Sequence, residues 1–186
     1  MAASLGAWFA TAANAQVVLS VNNAAGLVAA LTTIDQHPGT SFEINLTANI
    51  NLNAATTLPA INTTSPVVIN GNGFSLNGGG VQRGFFIFAG TVAINNLAIT
   101  NAAAVGGNSS TGGAAGGGMG AGGALFVASG ASVTVSNVNL SGNRAHGGNG
   151  GAAGGEGGGG GGMGGNGGNS CCGSGGGGVG LGAKGG

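Results

Sequence analysis

Two stretches of this chain repeat one pattern. Gly90-Thr91-Val92-Ala93-Ile94-Asn95-Asn96-Leu97-Ala98-Ile99-Thr100-Asn101 resembles Ala131-Ser132-Val133-Thr134-Val135-Ser136-Asn137-Val138-Asn139-Leu140-Ser141. Both read Val-x-(Ile/Val)-x-Asn-(apolar)-x-(apolar). Each follows an apolar run, residues 85–89 and 124–128. Residues 67–76 form a looser earlier copy in which Ile69 matches Ile94. A repeat of this kind is one supersecondary unit that buries its apolar side only against its neighbours. That requirement restricts the fold to a stacked array.

The period within each unit is two, the period of strands. Val17, Leu19 and Val21 form an alternating series, with Val18, Ser20 and Asn22 between and after them. So do Phe42, Ile44 and Leu46, then Ile50 and Leu52, Val67 and Ile69, Phe74 and Leu76. Phe86 and Phe88 follow, then Val92, Ile94, Leu97 and Ile99. Leu125 and Val127 precede Val133, Val135, Val138 and Leu140. The alternation breaks at Asn96-Leu97 and Asn137-Val138, as at a corner between two strands. Asn tolerates the left-handed backbone such a corner needs. Its amide can also bond the equivalent Asn of the next unit. Asn96 and Asn137 are therefore the expected ladder pair. Val92, Ile94, Leu97 and Ile99 are expected inward, stacked near Val133, Val135, Val138 and Leu140.

One segment has the helical period instead. Asn22-Asn23 can cap a helix, and Ala24, Leu27, Val28, Leu31 and Ile34 share one face. Pro38 disfavours helix at His37, and Gly39 permits a turn. A helix over residues 24–34 suits a lid on the end of a stack, where unpaired backbone and apolar surface would otherwise meet water.

Glycine, 47 residues, is concentrated in 106–123 and from 147 to the end. Glycine has no side chain to bury and carries the largest ordering cost. The insertion 106–123 is thus expected as a loop leaving one corner. Residues 147–186 are expected as a low-complexity linker without order. Within them only Met163, Val179 and Leu181 are sizeable apolar side chains.

Residues 1–10 are apolar and small, and Ala13-Asn14-Ala15 offers a signal-peptidase site before Gln16. No Lys or Arg precedes them, so residues 1–15 read as the remnant of a leader that has lost its basic region. The organisation is then a leader remnant at 1–15, a β domain at 16–146 and a glycine-rich tail at 147–186. The chain is expected to be an incomplete gene product.

Residues 23–34, Phe42-Glu43-Ile44-Asn45-Leu46 and Val68-Ile69-Asn70-Gly71-Asn72-Gly73-Phe74 resemble the start of autotransporter passenger domains. So do Thr91-Val92-Ala93-Ile94-Asn95-Asn96-Leu97 and Gly122-Gly123-Ala124-Leu125-Phe126-Val127. Residues 142–151 resemble the linkers between coils of such proteins. The resemblance implies an all-β fold, a right-handed parallel β-helix of the pectin-lyase-like type. It implies a secreted, non-enzymatic surface protein, an adhesin or display scaffold at the bacterial outer membrane. Its partners would be a surface or host ligand and, further along the gene, a C-terminal β-barrel in that membrane.

β-Helices also host polysaccharide lyases and hydrolases. Those chemistries need paired carboxylates, or calcium-binding carboxylates beside a basic group. The acids here are Asp35, Glu43 and Glu156, and the bases Arg83, Arg144 and Lys184, all scattered in sequence. Arg144 with His146 is the one local polar cluster and reads as linker. No catalytic, cofactor or metal site is expected. The alternative is the N-terminal part of a β-helix polysaccharide lyase or hydrolase with its active site outside these residues. A third reading makes the glycine tail the functional part, as in glycine-rich mycobacterial surface proteins. Cys171 and Cys172 are adjacent, so they cannot staple distant segments. With 3% charged residues and zero net charge, the chain lacks the electrostatic term on which nucleic-acid binding depends. Aromatics are 4%, and no stacking platform for sugars or bases stands out in the sequence.

Overall fold

The computed structural model describes residues 15–110, 115–151, 159–168 and 176–178. The expected leader up to Asn14, and Glu156, Cys171, Cys172, Val179, Leu181 and Lys184, lie outside them. The fold is mostly parallel β-sheet with one helix. In chain order the elements are β1 (Val17–Val21), α1 (Ala24–Gln36), β2 (Phe42–Leu46), β3 (Ile50–Asn51), β4 (Ile61–Asn62) and β5 (Val67–Asn70). Then come β6 (Ser75–Asn77), β7 (Phe85–Thr100), β8 (Ala103–Val105), β9 (Leu125–Ser141) and β10 (Arg144–His146).

The period-2 pattern sets the register. Phe42 pairs with Val67, Val67 with Val92 and Val92 with Val133. Ile44, Ile69, Ile94 and Val135 form the next column. A slip of one residue would turn every apolar side chain outward, so burial of one face holds the register. Within the columns Ile44, Ile69 and Ile94 have no exposed surface. Burying each such side chain stabilises the fold by about 1.5–3 kcal/mol. The long strand β7 pairs with β4, β5 and β6 along its length, and β9 then follows β7 from Phe85 opposite Leu125 to Thr100 opposite Ser141.

Asparagines run alongside the apolar columns. Asn96 and Asn137 both have positive φ, 50° and 52°. The Asn137 side-chain amide donates to Asn96 Oδ1 at 2.7 Å, which makes the expected ladder pair. A second ladder joins Asn95 to Asn70 and Asn70 to Asn45, each step 25 residues apart, at 3.2 and 3.1 Å. Glu43 Oε1 accepts from both Asn45 and Asn70.

The helix forms where its caps predict. Asn23 is extended, and its Oδ1 accepts from the Gly26 N–H at 2.8 Å. The helix runs two residues past the expected Ile34, to Gln36, and His37 before Pro38 ends it. Leu27, Leu31 and Ile34 are fully buried, and α1 packs against β1 and β4.

Four expectations are corrected. First, Val133, Val135, Val138 and Leu140 stand in the expected register but are not enclosed. Val135 is 55% exposed and Leu140 54%, because β9 pairs only with β7 and no further strand covers it among the described residues. Second, Phe85 and Ile87 fill the core, and Phe86 takes the opposite parity with Phe88. Third, Arg144 and His146 belong to β10, which pairs in parallel with β8, so they are not linker.

The fourth correction concerns the glycines. In the described residues of 106–123 and of the tail, backbone groups from distant segments bond one another. Gly107 N–H donates to Gly162 O, Gly118 to Gly107 O, Gly148 to Gly118 O, Gly161 to Gly116 O and Gly177 to Gly160 O, all at 2.7–3.1 Å. Gly-Gly-Asn recurs at 106–108, 147–149 and 164–166. The three asparagines clamp the segments: Asn149 N–H donates to Asn108 Oδ1 at 2.8 Å, and Asn108 N–H to Asn166 Oδ1 at 2.9 Å. A Cβ on Gly107 would overlap the Gly165 carbonyl, and one on Gly118 the Gly162 carbonyl. The segments therefore pack backbone against backbone. Side-chain burial, the term that seemed too small, is not what holds them. Backbone hydrogen bonds, each worth a net of about 0.5–1.5 kcal/mol, take its place.

Candidate functional site

The cleft with the most varied chemistry lies between the end of α1, the segment 57–62 and the outward side of β7. Its volume is about 540 Å³, and Asp35, Thr57, Leu58, Pro59, Ala60, Asn62, Arg83, Phe86 and Phe88 line it. That size is in the range of small-molecule sites. A second pocket, beside Val81, Met119 and Met163, holds about 40 Å³. That is room for little more than a water.

Asp35 sits in the last turn of α1. Its Oδ1 accepts from the Asn62 N–H at 2.8 Å, which ties helix to strand β4. Burial raises its carboxyl pKa above the ordinary value, and the Asn62 hydrogen bond offsets part of the rise. Arg83 precedes β7. Its guanidinium carbon lies 5.0 Å from the Phe86 ring centroid, and Nη2 reaches Leu58 O at 3.4 Å. Its Nε is buried without a partner, and burial pulls its pKa below the ordinary arginine value.

Three rings gather beside this cation. Phe86 packs edge-on to Phe126, 5.0 Å between centroids, and to Phe88 at 6.2 Å. Phe88 is 53% exposed. The sequence reading missed this platform. Phe86 and Phe126 meet only through the pairing of β7 with β9, and an apolar run on both parities hides which residues face out. Asp35 and Arg83, which looked scattered, line one cleft for the same reason. Their meeting depends on long-range pairing that carries no local signal.

The other two charged side chains among the described residues stand elsewhere. Glu43 is held by the amides of Asn45 and Asn70, and Arg144 Nη2 donates to Gly80 O. The cleft thus presents one carboxylate, one guanidinium and aromatic faces. That set can hold an apolar body with a polar or anionic group. Glycoside hydrolysis uses a pair of carboxylates, and the lining has one. Among the described residues no three His, Cys, Asp or Glu side chains group as a metal site. No helix among them is long and apolar enough to cross a membrane. Comparison with protein-family models, with curated proteins and with solved structures finds no match to this chain.

Proposed function

We propose that the chain is the N-terminal part of a right-handed parallel β-helix, the passenger or adhesin-like region of a secreted bacterial surface protein that acts by binding. What supports the coiled architecture is the register. Columns advance by 25 residues from β2 to β5 to β7, with side-chain amides stepping in parallel beside them. A chain returning to the same place every 25 residues, always parallel, is what a coil of about 20–29 residues per turn produces. The next interval, 41 residues, contains the glycine insertion. In this reading α1 caps the first coil. The aromatic cleft near Phe88 is where a group of a surface or host ligand seats. The outer membrane would be reached through a C-terminal β-barrel.

The test uses protease shaving of intact source cells and a glycan array. Release of peptides from this chain by protease that does not enter the cells is expected. Array binding without product formation on pectin and related polysaccharides, with and without calcium, is expected too. Protection of the chain in intact cells would overturn the surface location. Reproducible cleavage of a polysaccharide, lost in Asp35→Asn or Glu43→Gln, would favour the lyase or hydrolase reading instead.

A further inference from the structure

We propose that the cleft beside Phe88 takes one carboxylate carried on an aromatic ring, with Arg83 as the group that reads the charge. This deepens the binding reading above and rests on the cleft being where a ligand seats. The first observation is a cation without a counter-charge. The Arg83 guanidinium reaches Leu58 O at a long 3.4 Å, and its Nε is buried with no partner. Asp35 lines the same cleft, yet its Oδ1 is engaged by the Asn62 N–H. Burial is the one cause that moves the Arg83 pKa, and no acidic side chain offsets it among the described residues. A partly buried guanidinium of this kind is costly until an anion meets it. Its planar fork matches a carboxylate through two parallel N–H groups.

The second observation is the wall around that cation. Leu58, Pro59, Ala60 and Phe88 give the cleft an apolar lining, and Phe88 is 53% exposed where Phe85 on the same strand is 1%. Arg83 lies 5.0 Å from the Phe86 ring centroid, so the charge stands beside the rings. A ligand ring can stack offset or edge-on against Phe88. A sugar acid brings hydroxyls all round its ring, and a lining with few polar side chains would leave several of them unpaired. Asp35 opposes a second anionic group, so the ligand carries one. The third observation is position. The lining comes from α1, the 57–62 segment and the start of β7. β4 pairs with β7 on the cleft side and β9 on the other, so strands stacked beyond β9 leave the cleft as it is.

The test is a proton–nitrogen NMR titration of the full 186-residue chain. The probes are phenylpropionate, N-acetylphenylalanine, N-acetylphenylalaninamide and galacturonate. Phenylpropionate stands for a free acid and N-acetylphenylalanine for the carboxyl end of a peptide, and the tighter of the two names the source. Both should move the Arg83 side-chain N–H and the Phe88 amide saturably. The amide probe has the same ring without the charge and should bind about tenfold or more weaker than its acid. This comparison needs no variant. Arg83→Gln should erase the preference for acid over amide. Phe88→Ala, at a half-exposed position, should weaken both. Arg144→Gln removes a cation outside the cleft and should change neither. Equal binding of acid and amide, or an acid preference that survives Arg83→Gln, would sink the proposal. Shifts at Phe88 from galacturonate or an array glycan, with none from the aromatic acids, would sink it and leave the binding reading standing. No shift at the cleft from any probe or glycan would overturn the proposal and the cleft as ligand seat together. Acid binding by a chain that stays protected in intact cells would overturn the surface location and support the proposal.

Discussion

A single asparagine can hold a corner of this fold because it satisfies two demands together. Asn96 adopts φ near 50°, and its side chain accepts from Asn137. Alanine meets neither demand. Asn96→Ala should lower unfolding free energy by about 1–2 kcal/mol from the left-handed backbone alone. Asn96→Gly removes the backbone cost and should recover most of that loss. Urea denaturation of the three proteins compares them directly.

Asp35 gives a prediction with a sign. Its folded pKa is raised, so the folded state holds the proton more tightly than the unfolded chain does. The stabilisation this gives is complete below the unfolded pKa and is lost as pH rises through the raised folded pKa. Asp35→Asn keeps an oxygen for the Asn62 N–H and removes the charge. The variant should match or exceed the parent's melting temperature at pH 7. Its advantage should shrink as pH falls through the carboxylate range. An advantage that grows on acidification would contradict the burial argument.

At the scale of elements, the strands and the helix were legible because each carries its own period. Phe42, Ile44 and Leu46 state a face without help from the rest of the chain, and Asn23 and Pro38 bracket α1 from either side. The glycine segments were not legible, because their partners are remote. Asn108 bonds Asn166 across 58 positions, and glycine has no side chain whose pattern could announce the contact. Gly-Gly-Asn at 106–108, 147–149, 164–166 and 167–169 was the available signal, and its meaning depended on knowing which segments lie side by side. The candidate cleft was illegible for a similar reason: Asp35 on α1 and Arg83 just before β7 are brought together only by the sheet. Substitution separates the packed glycines from the free ones. Gly107→Ala places a Cβ against the Gly165 carbonyl, whereas a Cβ at Gly116 meets nothing within 4 Å. Gly107→Ala should cost about 1–3 kcal/mol of local stability, the usual range for overpacking. It should speed amide exchange at Gly118, Gly148 and Gly161 while β2, β5 and β7 stay protected. Gly116→Ala should leave exchange near the parent's.

For the whole molecule, the dominant fact is how little charge it carries. Three basic and three acidic residues leave no basic face to release counterions from a nucleic acid. The chain should therefore pass through a DNA column unretained even at low ionic strength. Its melting temperature should change little between dilute and moderate salt, since few charge pairs exist to be screened. Retention that falls steeply with salt would point to a charged surface this fold does not have.

The backbone-to-backbone packing of Gly107, Gly118 and Gly148 also has a genetic consequence. Every missense change at a glycine codon adds at least a Cβ, and at these positions a Cβ overlaps a neighbouring carbonyl. Stretches that look like degenerate, freely drifting sequence should instead behave in a saturation-mutagenesis screen as some of the least permissive codons in the gene. Gly116, where no atom stands within 4 Å of a Cβ, should appear as a break in that intolerance. Gly116 should accept any small residue. Gly39, at φ 93°, should accept few.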